Sequence, residues 1–227
     1  MSFVTAAPLS SATPLGLKWG LVHAGAQTIC ICAGLLAVIA IKLIGANVPG
    51  AAPTLKTAAY AIGLGAELIY AFALALLRGL IIREVVPTLS LRLWILVGVG
   101  YVMAFHLLTG MSSGTLAATQ AMQQLSGSMI VSGIAMGAVA GAMIGLLIGA
   151  IEALVLRRAA TGSGTWIIWS AAAWSAGVVT VFSVAGLLMV VALSAPLAAG
   201  IGATAKIATG IVIAALTLPA LKRLKPR

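Results

Sequence analysis

Residues 129–158 read MIVSGIAMGAVAGAMIGLLIGAIEALVLRR. From 129 to 156 a single charge, Glu152, interrupts the apolar run, which stops at Arg157 and Arg158. An α-helix rises about 1.5 Å per residue, so a run of this size crosses a hydrocarbon core of about 30 Å. Gly133, Gly137, Gly141, Gly145 and Gly149 recur every fourth residue and fall on one helix face. In lipid such a stripe lets a second backbone approach, so that dispersion contacts and weak C–H···O bonds hold helices together. The stretch reads as one helix of a multi-pass membrane protein.

Outward from it, apolar runs of spanning size occupy 19–44, 57–82, 93–110, 166–193 and 197–221. The breaks carry turn chemistry: Asn47-Val48-Pro49-Gly50, Pro87, Gly162-Ser163-Gly164 and Ser194-Ala195-Pro196. The third run is the weakest, and its neighbour 112–128 is polar and uncharged: a loop, a surface helix or a re-entrant segment. Composition agrees. The chain is 62% hydrophobic and 7% charged, against about 25% charged in soluble proteins. So few charges cannot cover a soluble domain, which excludes a water-soluble enzyme. Residues 1–17 carry no charge and no lipidation motif, so the first run is expected to be retained as a span.

The net charge of +10 reflects a shortage of acids, which are Glu67, Glu84 and Glu152 alone. The cations sit at the ends of apolar runs, which suits anionic lipid head groups at the inner face and no nucleic acid. With both termini inside, ten cations collect on one side: Lys18, Arg78, Arg83, Arg92, Arg157, Arg158, Lys222, Arg223, Lys225 and Arg227. Only Lys42 and Lys56 fall on the other, and Lys206 lies within the bilayer. Cytoplasmic loops are enriched in Lys and Arg, so the expected topology is N-in and C-in in a bacterial-type cytoplasmic membrane. Trp19, Trp94 and Trp166 share the inner boundary, where indoles anchor at head-group level.

The odd runs begin with those tryptophans, and the even runs end at Arg83, Arg157 and Lys222. Setting these cations level yields three tandem hairpins in one orientation, at about 17–86, 92–160 and 165–224, within a single transmembrane domain, 1–227. A glycine-striped helix ending in Leu-x-Leu-Arg-Arg, followed by a helix carrying Trp166, Trp169 and Trp174, resembles a repeat of small uncharacterised bacterial membrane proteins. The resemblance covers 133–177; it implies the hairpin fold and no activity.

The same register places Glu67 in the second run and Lys206 in the sixth level with Gly141, each about 24 Å from its inner-face cation. Isolated charges in a bilayer cost about 2.5 kcal/mol or more on insertion scales, so a Glu67–Lys206 contact is expected to clamp the first hairpin to the third. The alternative is that Lys206 snorkels outward and Glu67 is protonated or faces a polar cavity. His106 could relay protons with Glu67 or ligate a haem or chlorophyll metal; a hydrogen bond to a neighbouring helix is the commoner role. His23, with Gln27 one turn on, is the second possible relay or ligand, and the cofactor is unknown. Arg78, Glu152 and Thr217 each lie five residues before an inner-face cation. Arg78 and Glu152 could pair between helices, but reaching the head groups is the preferred reading. Glu84 reads as a solvated loop charge, and Cys30 and Cys32 as buried thiols on opposite sides of one helix.

No phosphate-binding loop, no His-Glu-x-x-His and no Asp occur, so enzyme is the least favoured class. Two functions remain. The favoured one is a structural or accessory subunit whose glycine-striped helices pack against partner helices, lipids or pigments, in a larger complex or a homo-oligomer. The other is a small secondary transporter or channel using Glu67, His106 and Lys206, because intramembrane ionisable groups are functional candidates by default.

Overall fold

Long apolar runs close nearly all of their backbone hydrogen bonds on themselves, which is what a chain in lipid requires; Pro219, inside the last of them, is an exception. The computed structural model describes residues 14–47, 52–109, 127–190 and 194–227. These form six helices: α1 (Leu15–Asn47), α2 (Ala52–Val85), α3 (Leu91–Thr109), α4 (Gly127–Leu156), α5 (Gly164–Val190) and α6 (Ala195–Arg223). Five are long and apolar enough to cross a membrane, which makes this a multi-pass membrane protein. In α3 the apolar stretch, Leu91–Ala104, is shorter. The expected segment 112–128 lies outside the described residues up to 126, and α4 begins at Gly127.

The turns end the helices for local reasons. Pro87 follows α2, and Ser90 caps α3 by accepting the Leu93 backbone N–H at 3.4 Å. Ser194 precedes α6 in extended geometry, with a proline in the first turn, where a missing N–H costs nothing.

Each helix packs on the next in sequence, and α6 packs back on α1, so the six form a ring. The tightest pair is α4 with α5; the slightest neighbouring contact is α3 with α4. The reason for the tight pair is the glycine stripe. A Cβ on Gly145 would stand 2.5 Å from the Ser170 carbonyl oxygen and 2.7 Å from Ala171 Cα. On Gly141 it would stand 2.8 Å from the Trp174 carbonyl oxygen, and on Gly149 2.8 Å from Ser170 Cβ. The α4 stripe therefore receives α5 of the same chain. Gly133 also lies on α4, but its surroundings fall outside the described residues.

Three helix ends, three helix starts and their turns gather at one end of the ring, here called the basic end. The main buried core is there, built from Trp19, Ile82, Val86, Trp94, Leu156, Trp166, Leu221 and their neighbours. A two-residue antiparallel bridge joins β1 (Ala160–Thr161) to β2 (Lys225–Pro226), and the Arg227 N–H donates to the Ala159 carbonyl at 3.0 Å. Gly162 takes φ 81°, and a Cβ there would run into the Arg223 carbonyl oxygen, so only glycine fits this crossing. Glu84 lies in the last turn of α2, exposed, and accepts from Lys18 at 2.9 Å. Farther from the basic end a smaller buried cluster of Ala26, Cys30, Tyr70 and Leu74 joins α1 to α2. Large apolar side chains such as Leu36, Met136, Leu147 and Ile168 face outward, as lipid contact demands.

Candidate functional site

Helical spacing sets the interior. On α1, Trp19, His23, Gln27 and Cys30 recur at intervals of four, four and three residues and form one stripe. Glu67, Tyr70, Leu74 and Arg78 do the same on α2, and Lys206, Thr209, Ile213 and Thr217 on α6. These stripes face one another inside the ring: His23, Gln27, Glu67, Arg78, Thr209 and Thr217 are all buried. The molecule is apolar outside and polar along part of its interior.

At the basic end the polar line terminates in a buried ion pair. Arg78 Nη1 donates to Glu152 Oε1 at 2.7 Å and Nη2 to Oε2 at 3.0 Å, a bidentate arrangement that fixes both planes. The expected head-group positions are thus corrected: the two side chains turn inward and are 6% and 3% exposed. Burying one charge alone is far more costly than burying the neutralised pair.

Three tryptophans enclose the guanidinium, with Cζ 5.7 Å from the Trp19 ring, 5.6 Å from Trp94 and 5.8 Å from Trp166. Each is within cation–π range, where the negative ring face replaces part of the lost hydration. Trp19 and Trp94 meet Trp166 edge-on at 6.3 Å and 6.4 Å between centroids. The expectation that these indoles anchor at the interface is overturned, since they are 0%, 2% and 0% exposed. They sit at helix ends as expected, but face the nearest buried cation and not the lipid boundary.

The indole N–H groups follow a rule. Trp166 Nε1 donates to Glu152 Oε2 at 2.7 Å, and Trp19 Nε1 donates to Thr217 Oγ1 at 2.9 Å. Thr217 in turn donates to the Ile213 carbonyl at 2.7 Å. In this way a tryptophan of one odd helix reaches the aligned polar position of a neighbouring even helix. Trp94 faces Arg78, which has no acceptor to offer and presents its cation instead. Tyr101 on α3 lies within electrostatic reach of both members of the pair.

Farther from the basic end, Gln27 Nε2 donates to Tyr70 Oη at 3.1 Å, tying α1 to α2. Beyond it Lys206 Nζ donates to Cys30 Sγ at 3.0 Å, tying α6 to α1. Glu67, 7% exposed, acts electrostatically on both Cys30 and Tyr70. Lys206 bonds this thiol directly, and Glu67 lies within electrostatic reach of it. Cys30 is buried as expected, whereas Cys32 is exposed, and both are free. His106 lies on α3 at a position whose side chain is outside the described residues. His23 is buried edge-on against Trp19 at 4.8 Å. Among the described residues no group of His, Cys, Asp and Glu could hold a metal ion.

The sequence sets Arg78, Glu152 and Thr217 level and admits an Arg78–Glu152 pair beside the preferred head-group positions, but it does not bring the three tryptophans to that pair. A usable signal was present. Glu152 is an acid inside an apolar run, and Arg78 is the cation inside another run at the same height. The roles of Tyr70, Tyr101 and Cys30 carried no such signal. No known protein family, no curated protein and no solved structure matches this chain.

Proposed function

We propose that the chain is a small secondary transporter or channel of a cytoplasmic membrane. The observation that carries this reading is the polar line that runs on α1, α2 and α6 from Lys206, Cys30 and Glu67 through Tyr70 and Gln27 to Arg78, and ends on Glu152 of α4. Along the helix axis it covers about 16 Å, roughly half a hydrocarbon core. Helix packing alone needs no such series of ionisable groups at two depths. In lipid each is costly, and such groups generally mark ion or proton routes. The glycine stripe of α4, which suggested a partner helix, receives α5 and lends that idea little support.

The topology that accompanies this proposal has six spans in three tandem hairpins, with both termini inside. Its support is the exposed cations at the basic end, namely Arg83, Arg92, Arg157, Arg158, Lys222, Arg223, Lys225 and Arg227, and the recurring reach of one hairpin's tryptophan to another's polar position. In this frame the basic end is cytoplasmic and closed by the tryptophan cage. The far end, nearer to Glu67 and Lys206, is then the outer one, and a passage event must part Arg78 from Glu152.

Purified protein in liposomes with an imposed pH gradient or voltage tests the reading. Dissipation by the wild type, reduced at least tenfold in Glu67→Gln and Glu152→Gln, is the expected result. Wild-type vesicles as tight as protein-free ones would refute transport. One observation favours the accessory-subunit alternative in that event: an apolar groove of about 560 Å³ between α1 and α2, lined by Cys32, Ala33, Leu36, Gly65 and Ile69 among others. A partner helix seated there would protect Cys32 from maleimide in native membranes and release it on purification.

A further inference from the structure

Buried polar atoms in folded proteins have partners, and an orphan calls for one. Among the described residues two buried side-chain nitrogens find none in the protein: His23 Nε2 and Arg78 Nε. Both side chains stand against the Trp19 ring, the imidazole at 4.8 Å and the guanidinium carbon at 5.7 Å, and Arg78 acts electrostatically on His23. Both are enclosed, at 3% and 5% exposure.

The chemistry of the two atoms selects what fits between them. Arginine Nε can only donate, and a neutral imidazole with its proton on Nδ1 can only accept at Nε2. With that tautomer the bridging group accepts from Arg78 and donates to His23. It must also carry no charge, because Glu152 already neutralises Arg78 in a bidentate bond. An anion would compete with Glu152, and a metal ion would meet the donor face of a guanidinium. Water meets every requirement, and buried waters commonly occupy such polar gaps.

We propose that a bound water bridges Arg78 Nε and His23 Nε2. It joins the tryptophan cage to the next polar station on α1, Gln27, one helical turn from His23. The site stands on these orphaned atoms alone. Under the transport reading, on which only its functional role rests, a proton arriving at this water is handed to His23 Nε2, while Arg78 keeps its own protons and its charge throughout.

Three substitutions test it in detergent or nanodiscs, with thermal unfolding as the readout. His23→Phe keeps the aromatic edge against Trp19 and removes both nitrogens, His23→Gln places a polar atom near the Nε2 position, and His23→Asn places one near Nδ1. If water bridges the pair, His23→Phe strands the Arg78 N–H and its water, lowering Tm by roughly 3–6 °C. His23→Gln then regains at least half of the loss. A His23→Phe protein as stable as the wild type, or more so, would overturn the proposal, since removing a truly unpartnered nitrogen relieves a penalty. Recovery by Asn in place of Gln would overturn it equally. Proton flux in liposomes separates the two claims. The Tm pattern without wild-type flux keeps the water and sinks transport, whereas wild-type flux unchanged in His23→Phe removes the water from the route.

Discussion

Arg78 illustrates how one residue imposes a structure on its surroundings. A guanidinium cannot shed its charge, so within an apolar ring it must find an acid, and the acids number three in 227 residues. Glu152 takes both terminal nitrogens, and the aromatic faces of Trp19, Trp94 and Trp166 supply the remaining negative potential. Removing either charge leaves the other buried and alone. Arg78→Met and Glu152→Leu are each expected to cost about 3–5 kcal/mol in unfolding experiments, while the double variant recovers most of the loss. Additive losses would show that the two charges do not act as a unit. Trp166→Phe keeps the aromatic face but drops the N–H donated to Glu152; a loss of about 1.5–3 kcal/mol is expected for a hydrogen bond to a charged group.

Among the elements, α4 and α5 differ from the others because glycine removes the side-chain layer between them. The same substitution should therefore act with opposite sign at two glycines. Gly145→Ala places a methyl 2.5 Å from a backbone oxygen of α5 and must push the helices apart, at a cost of about 1–3 kcal/mol. At Gly202 on α6 a Cβ meets no described atom within 4 Å, so Gly202→Ala is expected to be neutral or to stabilise by up to about 1 kcal/mol through helix propensity. Melting curves of the two variants decide this, and equal effects would argue against close α4–α5 packing. The stripe and its period were plain in the sequence. Its partner was not, because a small-residue face states that a backbone approaches without stating whose.

For the whole molecule, the proposed orientation predicts sidedness. Arg158→Cys, on the exposed turn before β1, should react with a membrane-impermeant maleimide only from the cytoplasmic side of the membrane. Labelling from the opposite side would invert the topology. The helices themselves were legible from length and hydropathy, and α3 was already the weakest run. Turn chemistry at Pro87, Gly162 and Ser194 marked the ends of helices closely. What the residues by themselves determined is thus the set of membrane-compatible helices and the height at which each polar group sits, because apolar run length and rise per residue are one-dimensional quantities. Which way those groups face was decided only by the closing of the ring. Rotating a helix about its axis changes neither hydropathy nor height, yet it turned Trp19, Trp94 and Trp166 from the lipid boundary to the core and set Arg78 against Glu152.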